Sequence, residues 1–360
     1  MLRRLLAVSL CCACGLSPGE ETAATTTATT SPTSTASTGT TGGVTPTTSE
    51  TGSTTDPGSA WEIGLQVGTE RGAFLSVWGP APDEVYAVGG QQASPTESTG
   101  ILYRYDGATW SEQSLPPGTP MLHWVFGVDG DLWAVGRDGA ALRREGDEWV
   151  AKPTGIDKIL WGVWGPRKDL LWTVGGDGVD DDPVLLRWDG ATWGPVPLPP
   201  TDKSAGLFKL WGSADDDVTA VGDRGLALHF DGAAWTVQPT VDLADLISVW
   251  GRGPGEHLAV GGRANGRVAR WDGAAWAGET LAVPGLSGVW MDPSGVATVV
   301  GMQGTIAEVA PGSMELVAQA SPTILLLHAT YGFAGGPRFA VGGSLAGPFP
   351  YVGVIVQRGP

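Results

Sequence analysis

A pattern of about 40 residues recurs seven times after Trp61 and limits the folds open to this chain. Each copy has an aromatic residue, usually followed by glycine, and a Val-Gly pair about ten residues later. The aromatic residues are Trp78, Phe126, Trp164, Trp211, Trp250, Trp290 and Tyr331. The valines are Val88, Val135, Val174, Val221, Val260, Val300 and Val341. Seven copies of this length predict a propeller or an open repeat array.

Each copy contains four strand-sized segments. In the first copy they are FLSVW, EVYAVG, ILYRY and TWSEQSL, rich in β-branched and aromatic residues and bounded by Gly, Pro and Asp. These segments have no helical periodicity. Four strands per copy form one propeller blade, so the sequence predicts an all-β, seven-bladed β-propeller of four-stranded blades.

The two ends of the repeat region favour a closed ring. The last copy ends after YVGVIVQRG, before any fourth strand. Gly58 and Trp61 have the same spacing as Gly107 and Trp110, which mark the start of the fourth strand in the first copy. We therefore predict that residues 58–360 form one domain and that its N-terminal strand pairs into the last blade, which leaves no sheet edge unmatched.

A heptad typified by RWDGATW stands between the third and fourth segments of four copies. Asp-Gly followed by Trp is compatible with a metal loop or a sugar platform, but it also suits a hairpin turn and a packing residue. The second copy has EGDEW and the sixth PGSME, so a shared chemical role is not maintained. We interpret the heptad as a turn. The basic residue before the third-strand aromatic is expected to pair with nearby carboxylates and to stack on Trp.

The first 57 residues resemble a targeting segment followed by a spacer. Residues 1–14 combine Arg3 and Arg4 with a short apolar run, and Ala13–Cys14–Gly15 resembles the lipobox of bacterial lipoproteins. The resemblance implies lipidation at Cys14, and Gly15 favours the outer membrane, facing the periplasm or the cell surface; secretion is the alternative. Residues 15–57 are rich in Thr and Ser, and we predict a disordered tether.

Net charge and loop length restrict the binding hypotheses. The formal charge of −17 excludes duplex nucleic acid as a partner. We expect the protein to contact the membrane only through its lipid anchor. We expect a monomer. The segment after Val-Gly is long in copies 1, 3 and 7, and insertions on a rigid scaffold commonly carry binding. The candidate ligand-binding residues are His123, His328, Trp161, Lys209, Phe349 and Tyr351.

No catalytic residue is assigned, because no motif of a known nucleophile or phosphate loop is present. No resident cofactor is predicted. The acidic loop of the third copy has oxygen donors suited to Ca²⁺, although a solvated loop is the alternative. Its carboxylates are Asp177, Asp180, Asp181 and Asp182.

The repeat resembles known propeller families. Gly89–Gly90 with Trp110 is similar to kelch repeats, and VFGVDGDLWAVGRDGAALRREGDEW (residues 125–149) is similar to tectonin-type repeats, seen in some lectins. The tectonin resemblance implies a non-enzymatic envelope module that binds a glycan, and a protein partner is equally compatible with the fold. The alternative is a propeller enzyme, either a kelch-like oxidase or another propeller hydrolase or lyase. A scaffold protein in an envelope complex is the third hypothesis.

Overall fold

The fold is a ring of seven four-stranded antiparallel sheets. The computed structural model describes residues 60–176, 183–200, 206–240, 242 and 244–359. Blades 1 to 6 each contain four consecutive strands, and in the sheets of all seven blades neighbouring strands are antiparallel. The predicted all-β, seven-bladed architecture is therefore confirmed.

The strands of blades 1 to 3 are β2 (Ala73–Ala81), β3 (Glu84–Gln92), β4 (Ser98–Tyr105), β5 (Trp110–Glu112), β6 (Leu122–Val128), β7 (Asp131–Gly136), β8 (Ala141–Glu145), β9 (Glu148–Ala151), β10 (Leu160–Arg167), β11 (Leu170–Gly175), β12 (Val184–Trp188) and β13 (Trp193–Pro195). Blades 4 and 5 contain β14 (Leu207–Ala214), β15 (Asp217–Gly222), β16 (Ala227–Phe230), β17 (Trp235–Val237), β18 (Leu246–Gly253), β19 (Glu256–Gly261), β20 (Asn265–Trp271) and β21 (Trp276–Pro284). Blades 6 and 7 contain β22 (Leu286–Met291), β23 (Ala297–Gly301), β24 (Ile306–Val309), β25 (Val317–Ala318), β26 (Leu326–Gly332), β27 (Arg338–Gly343), β28 (Gly353–Arg358) and β1 (Glu62–Val67).

The N-terminal strand completes blade 7 and closes the ring. β1 pairs with β28 in the strand order β1-β28-β27-β26, as the spacing of Gly58 and Trp61 predicts. Trp61 is buried, and its indole N–H donates to Gln319 Oε1 of blade 6 at 2.9 Å. The first strand of every blade contacts the first strands of both neighbouring blades, including β26 with β2. The seven inner strands therefore surround a central channel.

Burial follows strand position within a blade. Second strands such as β11 and β15 are buried at every residue, because both of their faces lie between neighbouring blades. Fourth strands are more exposed than second strands, both where they are short, as in β17, and where they are long, as in β21. The apolar runs on second strands therefore form the inter-blade cores, which supply the main stabilisation of the ring.

The glycine of the Val-Gly pair is required by a close approach between strands. In each blade this glycine lies against a backbone carbonyl at the start of the first strand, and a Cβ there would clash with that oxygen. A shift of pairing register occurs at the same point in all seven blades, for example between Phe74 and Ser76. The repeated glycine is therefore explained by packing of the bulged backbone.

The Asp-Gly heptad forms a hairpin turn, as predicted. Asp189 Oδ1 accepts the backbone N–H groups of Ala191 and Thr192 at 2.9 and 2.8 Å, and Gly190 has a φ of 95°. These hydrogen bonds lower the pKa of the Asp189 carboxyl. Trp193 then begins the fourth strand and is buried against its blade neighbour. The heptad is therefore a turn followed by a packing residue.

Regular helix is nearly absent from the described part of the chain, which contains three single-turn 3₁₀ helices at Arg137–Gly139, Asp223–Gly225 and Met302–Gly304. They make the tight connections between second and third strands in blades 2, 4 and 6. None of the described helices has the length and apolar character needed to span a membrane.

Candidate functional site

The two faces of the ring differ in the segments that they carry. We call the face with the connections between second and third strands the loop face. We call the opposite face, with the turns between first and second strands, the turn face. The predicted long segments of blades 1 and 7 lie on the loop face, and the corresponding segment of blade 3 falls mostly outside the described residues.

Four of the predicted ligand-binding residues lie on the innermost strands, beside the central channel. His123, Trp161, Lys209 and His328 come from blades 2, 3, 4 and 7. All four residues are buried, and none is more than 3% exposed. The structure therefore brings them to one region but leaves almost none of their surface open to solvent.

These residues form contacts between neighbouring blades. His123 Nδ1 lies 3.1 Å from the carbonyl oxygen of Leu160, and its ring stacks on Trp161 with 4.3 Å between ring centroids. Lys209 donates to the carbonyl oxygen of Trp161 at 2.5 Å, and its ammonium nitrogen lies 4.1 Å from the centroid of Trp124. The cluster therefore joins blades 2, 3 and 4 at the axis by hydrogen bonding, stacking and a cation–π contact.

Burial keeps both channel imidazoles neutral. Burial, together with the positive charge of Lys209, lowers the pKa of His328 to about 3. Burial and the charges of Lys209 and Arg137 hold the pKa of His123 well below its usual value. His328 Nδ1 lies 2.7 Å from the carbonyl oxygen of Leu75, so Nδ1 carries the proton and donates it. The contacts explain a structural role, and the ligand-binding role of these residues stays a prediction.

The long segments of blades 7 and 1 are joined on the loop face. The Gln91 amide donates to the carbonyl oxygen of Tyr351 at 2.9 Å and accepts the N–H of Tyr351 at 2.8 Å. Arg137 of blade 2 donates to the carbonyl oxygen of Pro95 at 2.7 Å. These bonds connect three neighbouring blades. We call the segments 91–98 and 344–352 together the loop ridge.

Phe349 and Tyr351 have opposite environments in the loop ridge. Tyr351 is 2% exposed. It packs with Leu345 of its own segment, with Leu75 of blade 1 and with Met121, which directly precedes the first strand of blade 2. Phe349 is 40% exposed and is the sole aromatic among the large apolar residues that stand exposed in the described part of the chain. Tyr351 therefore anchors the ridge, while Phe349 presents an apolar ring to solvent.

A Ser–Asp–His cluster in blade 4 does not have the geometry of a catalytic triad. Asp217 accepts hydrogen bonds from Ser213 at Oδ2 and from His229 Nε2 at Oδ1, the latter at 2.8 Å. The carboxylate therefore lies between the hydroxyl and the imidazole. A base that activates a serine must contact the hydroxyl itself. The cluster is a hydrogen-bonded link between β14, β15 and β16.

The basic residues of the third strands pair with carboxylates in four blades, as predicted; three of the pairs are arginine ion pairs and the fourth is the His229–Asp217 hydrogen bond. In each, the partner is an acid at the start of the second strand. The pairs are Arg104–Glu84 at 3.8 Å, Arg143–Asp131 at 2.6 Å, His229–Asp217 at 2.8 Å and Arg270–Glu256 at 3.0 Å. Arg143 also lies over the ring of Trp133, at 5.7 Å from its centroid. Blade 3 departs from the rule, because Arg187 has no such partner.

The repeated first-strand aromatics pack between blades, and several also line a depression on the turn face. The ring of Trp78 lies where a Cβ of Gly127 would be, 2.5 Å away, and Trp211 covers Gly251 in the same way. The aromatic-glycine pattern is therefore the packing of one blade on the next. A depression of about 530 Å³ is lined by rings that include Trp211, Trp250, Trp290, Tyr331 and Phe333.

Blade 6 changes this packing. Met291 replaces the glycine on which the ring of Trp250 would lie. Trp250 contacts Tyr331 instead, two blades away, at 5.9 Å between ring centroids. Burial raises the pKa of Tyr331 to about 12. This depression was not predicted from the sequence. The signal was present, because each copy places its landmark aromatic on an inner strand, and inner strands converge at the axis.

Several predicted sites fall outside the described residues. They are the lipidation site Cys14, the tether at 15–57 and the calcium loop with Asp177, Asp180, Asp181 and Asp182. Within the described residues, no group of three or more His, Cys, Asp or Glu side chains is arranged to hold a metal ion.

The fold and its faces define a seven-bladed β-propeller, and comparison with known proteins supports this class. No protein-family model matches the chain. The immune protein Tsi7 of Pseudomonas aeruginosa is 26% identical over 170 residues, which are 45% of this chain and 48% of that protein. The match therefore spans about half the length of this relative.

Two solved structures extend the similarity over most of the ring. YCF48 bound to a D1 peptide has a TM-score of 0.62 and 14% identity, covering 83% of this chain and 97% of its own. Virginiamycin B lyase from Staphylococcus aureus has a TM-score of 0.64 and 10% identity, covering 82% and 99%. At these identities the similarity establishes the fold alone, which is shared by a peptide-binding protein and a lyase.

Proposed function

We propose that this protein is a non-enzymatic binding module that presents its loop face to a protein partner. The observation that carries the proposal is the exposed ring of Phe349 on a ridge held by hydrogen bonds between Gln91 and Tyr351. A fixed aromatic residue loses little conformational entropy on binding, so it suits the centre of an interface. The loop ridge supplies such a residue at the junction of blades 7, 1 and 2.

A protein partner is favoured over a glycan by the available surface. Sugar-binding platforms stack a ring on exposed aromatic faces, and of the three candidate aromatics only Phe349 is exposed, whereas Trp161 beside the channel and Tyr351 in the ridge are buried. The similar proteins also support a protein partner in a general way, since YCF48 has been solved with a bound peptide and the relative Tsi7 is an immune protein. A glycan partner remains an outcome that the experiment below distinguishes.

The attachment to the cell envelope is proposed from the sequence. Cys14 in its lipobox-like context would carry the lipid, and residues 15–57 would hold the propeller away from the outer membrane, on its periplasmic or outer side. We expect the full chain to partition with membranes and Cys14→Ser to be released into the soluble fraction. Equal membrane association of the two proteins would contradict the anchor.

The binding proposal is tested by comparing two exposed apolar residues. The full chain, Phe349→Ser and Val317→Ser are each used to capture envelope proteins, and each is applied to a glycan array. Val317 is 61% exposed and lies in the outer strand β25, away from the loop ridge, so it is a matched control for surface hydrophobicity. We expect Phe349→Ser to lose a protein that the other two retain. Glycan binding without protein capture, or equal capture by Phe349→Ser, would contradict the proposal.

A further inference from the structure

Blade 3 lacks the acid that pairs with the third-strand base in four other blades. Arg187 pairs in register with Trp172, and Leu170 lies two residues before it, where blade 1 has Glu84 before Tyr86. Leu170 is buried in the core between blades 3 and 4. Within the described part of the chain, Arg187 is exposed and has neither an ion pair nor a side-chain hydrogen bond. The guanidinium of Arg187 can therefore bind a ligand.

Arg187 lines a cleft of about 620 Å³ between blades 3 and 4. The cleft has an apolar wall that includes Pro195, Val196 and Phe230. Trp172 lies deeper and is 2% exposed, so the wall offers little of its ring face. A guanidinium beside an apolar wall suits a ligand that carries a carboxylate next to apolar groups.

The cleft opens at Gly194, which faces Arg187 across the strand pair β12–β13. A Cβ added to Gly194 would meet no atom within 4 Å. The corresponding residues of four other blades carry side chains: Ser111, Val150, Thr236 and Ala277. The missing side chain and the missing acid therefore occur at the same place in blade 3, and together they leave room around Arg187.

The charges at the rim favour a polypeptide over an acidic polysaccharide. Asp189 is bound by its own turn, and Asp215 pairs with Arg167, whereas Asp216 has no ion pair among the described residues. A polymer of uronic acids would bring repeated negative charges past these carboxylates. A polypeptide can place a single carboxylate on Arg187 and uncharged or basic residues elsewhere.

We propose that the cleft between blades 3 and 4 binds an extended polypeptide segment through one acidic side chain on Arg187, with the flanking apolar side chains on the wall of Pro195, Val196 and Phe230. This site lies at the outer side of blade 3, apart from the loop ridge, so it goes beyond the proposed function. The carboxylate forms a charge-assisted pair with the guanidinium, whose planar fork matches the two carboxylate oxygens.

The test uses a defined peptide library. Nonapeptides with a central Glu flanked by Leu, Val, Pro or Phe are compared with the same peptides carrying Gln, by fluorescence anisotropy with the full chain. We expect the best Glu peptides to bind about tenfold more tightly than their Gln counterparts, a factor typical of one charge-assisted pair. No binding, or equal binding of Glu and Gln peptides, would overturn the proposal. Retention of polyuronate oligosaccharides in place of peptides would also overturn it.

Three variants assign the binding to the cleft. Arg187→Ala removes the cation, Gly194→Val fills the space with the side chain that blade 2 has at this position, and Leu170→Glu restores the acid that neutralises Arg187. We expect each of them to abolish the preference for Glu. Because Leu170 is buried, Gly194→Val and Arg187→Ala keep the test decisive if Leu170→Glu does not fold.

The controls separate this site from the rest of the molecule. Arg143→Ala removes the equivalent base of blade 2, which is already paired with Asp131, and should leave peptide binding unchanged. Phe349→Ser should also leave it unchanged, so failure of the loop-ridge proposal is distinguishable from failure of this one. Loss of the Glu preference in Arg143→Ala, or its persistence in Arg187→Ala, would refute the assignment.

Discussion

At the scale of single residues, glycine determines how the blades pack. Gly251 lies under the ring of Trp211, and a Cβ there would be 2.6 Å from that ring and 2.7 Å from the carbonyl oxygen of Glu256. Gly253 is in the same strand, yet a Cβ there would meet no atom within 4 Å. The two glycines therefore differ in the space available for a side chain.

We expect Gly251→Ala to destabilise the protein by about 1–3 kcal/mol, because the added methyl overpacks the contact with Trp211. Gly253→Ala is the matched control and should change the free energy of unfolding little. Urea unfolding followed by tryptophan fluorescence measures both. Similar midpoints for the two variants would show that the ring does not occupy the glycine surface as described.

His328 gives the stability a defined dependence on pH. Its pKa is about 3 in the folded protein, whereas an exposed imidazole titrates near 6.5. Between these values the unfolded chain binds a proton that the folded chain does not. Stability from this residue is therefore complete above about pH 6.5 and is lost as the pH falls toward 3.

We expect His328→Gln to lose less stability than the wild type when the pH is lowered from 6.5 to 4.5. The difference should be about 1.4 kcal/mol per pH unit, the value for one proton, and the Gln amide can still donate to Leu75. Urea midpoints at several pH values provide the measurement. Parallel losses in the two proteins would mean that His328 is not held neutral in the folded state.

At the scale of elements, β1 is the strand on which closure of the ring depends. It supplies the fourth strand of blade 7 and brings Trp61 into the core beside Val356. Without β1, the edge of β28 would be open to pairing with another chain. The sequence predicted this role through the spacing of Gly58 and Trp61, which matches Gly107 and Trp110.

We expect deletion of residues 1–68 to lower stability by on the order of 3 kcal/mol from the loss of buried Trp61 alone, and to increase self-association. Deletion of residues 1–59 removes no described strand and serves as the control. Urea unfolding and light scattering measure the two effects. Equal stability of the two truncated proteins would show that β1 does not close the ring.

The strands and turns that recur in every blade could be predicted from the sequence, whereas the features found in a single blade were harder to predict. Val-Gly pairs and Asp-Gly turns recur because the same backbone contacts recur, so the sequence predicted the strands and the turns from them. Met291 and Leu170 each break the pattern once, and their consequences for Trp250 and Arg187 depend on neighbouring blades. The burial of His123 accompanies its contacts with Leu160 and Trp161 of the next blade, which no periodic signal encodes.

At the scale of the whole molecule, the ring is a scaffold whose two faces and outer clefts carry the differences between blades. The inter-blade cores stabilise the scaffold, together with the contacts of His123, Trp161 and Lys209 beside the channel. These three residues were predicted from the sequence to bind a ligand. Among the described residues, the exposed surface that departs from the repeat includes the loop ridge with Phe349 and the cleft with Arg187. Binding is therefore expected where the repeat is interrupted.

The central claim is that a protein partner binds the loop ridge. Amide hydrogen exchange of the full chain, alone and in complex with the partner that it captures, tests this most directly. The account predicts increased protection in residues 344–352 and 91–98, with little change in β5 or β25 at the outer side of the ring. Protection confined to the turn face or to the outer strands, or failure to isolate any protein complex, would contradict it.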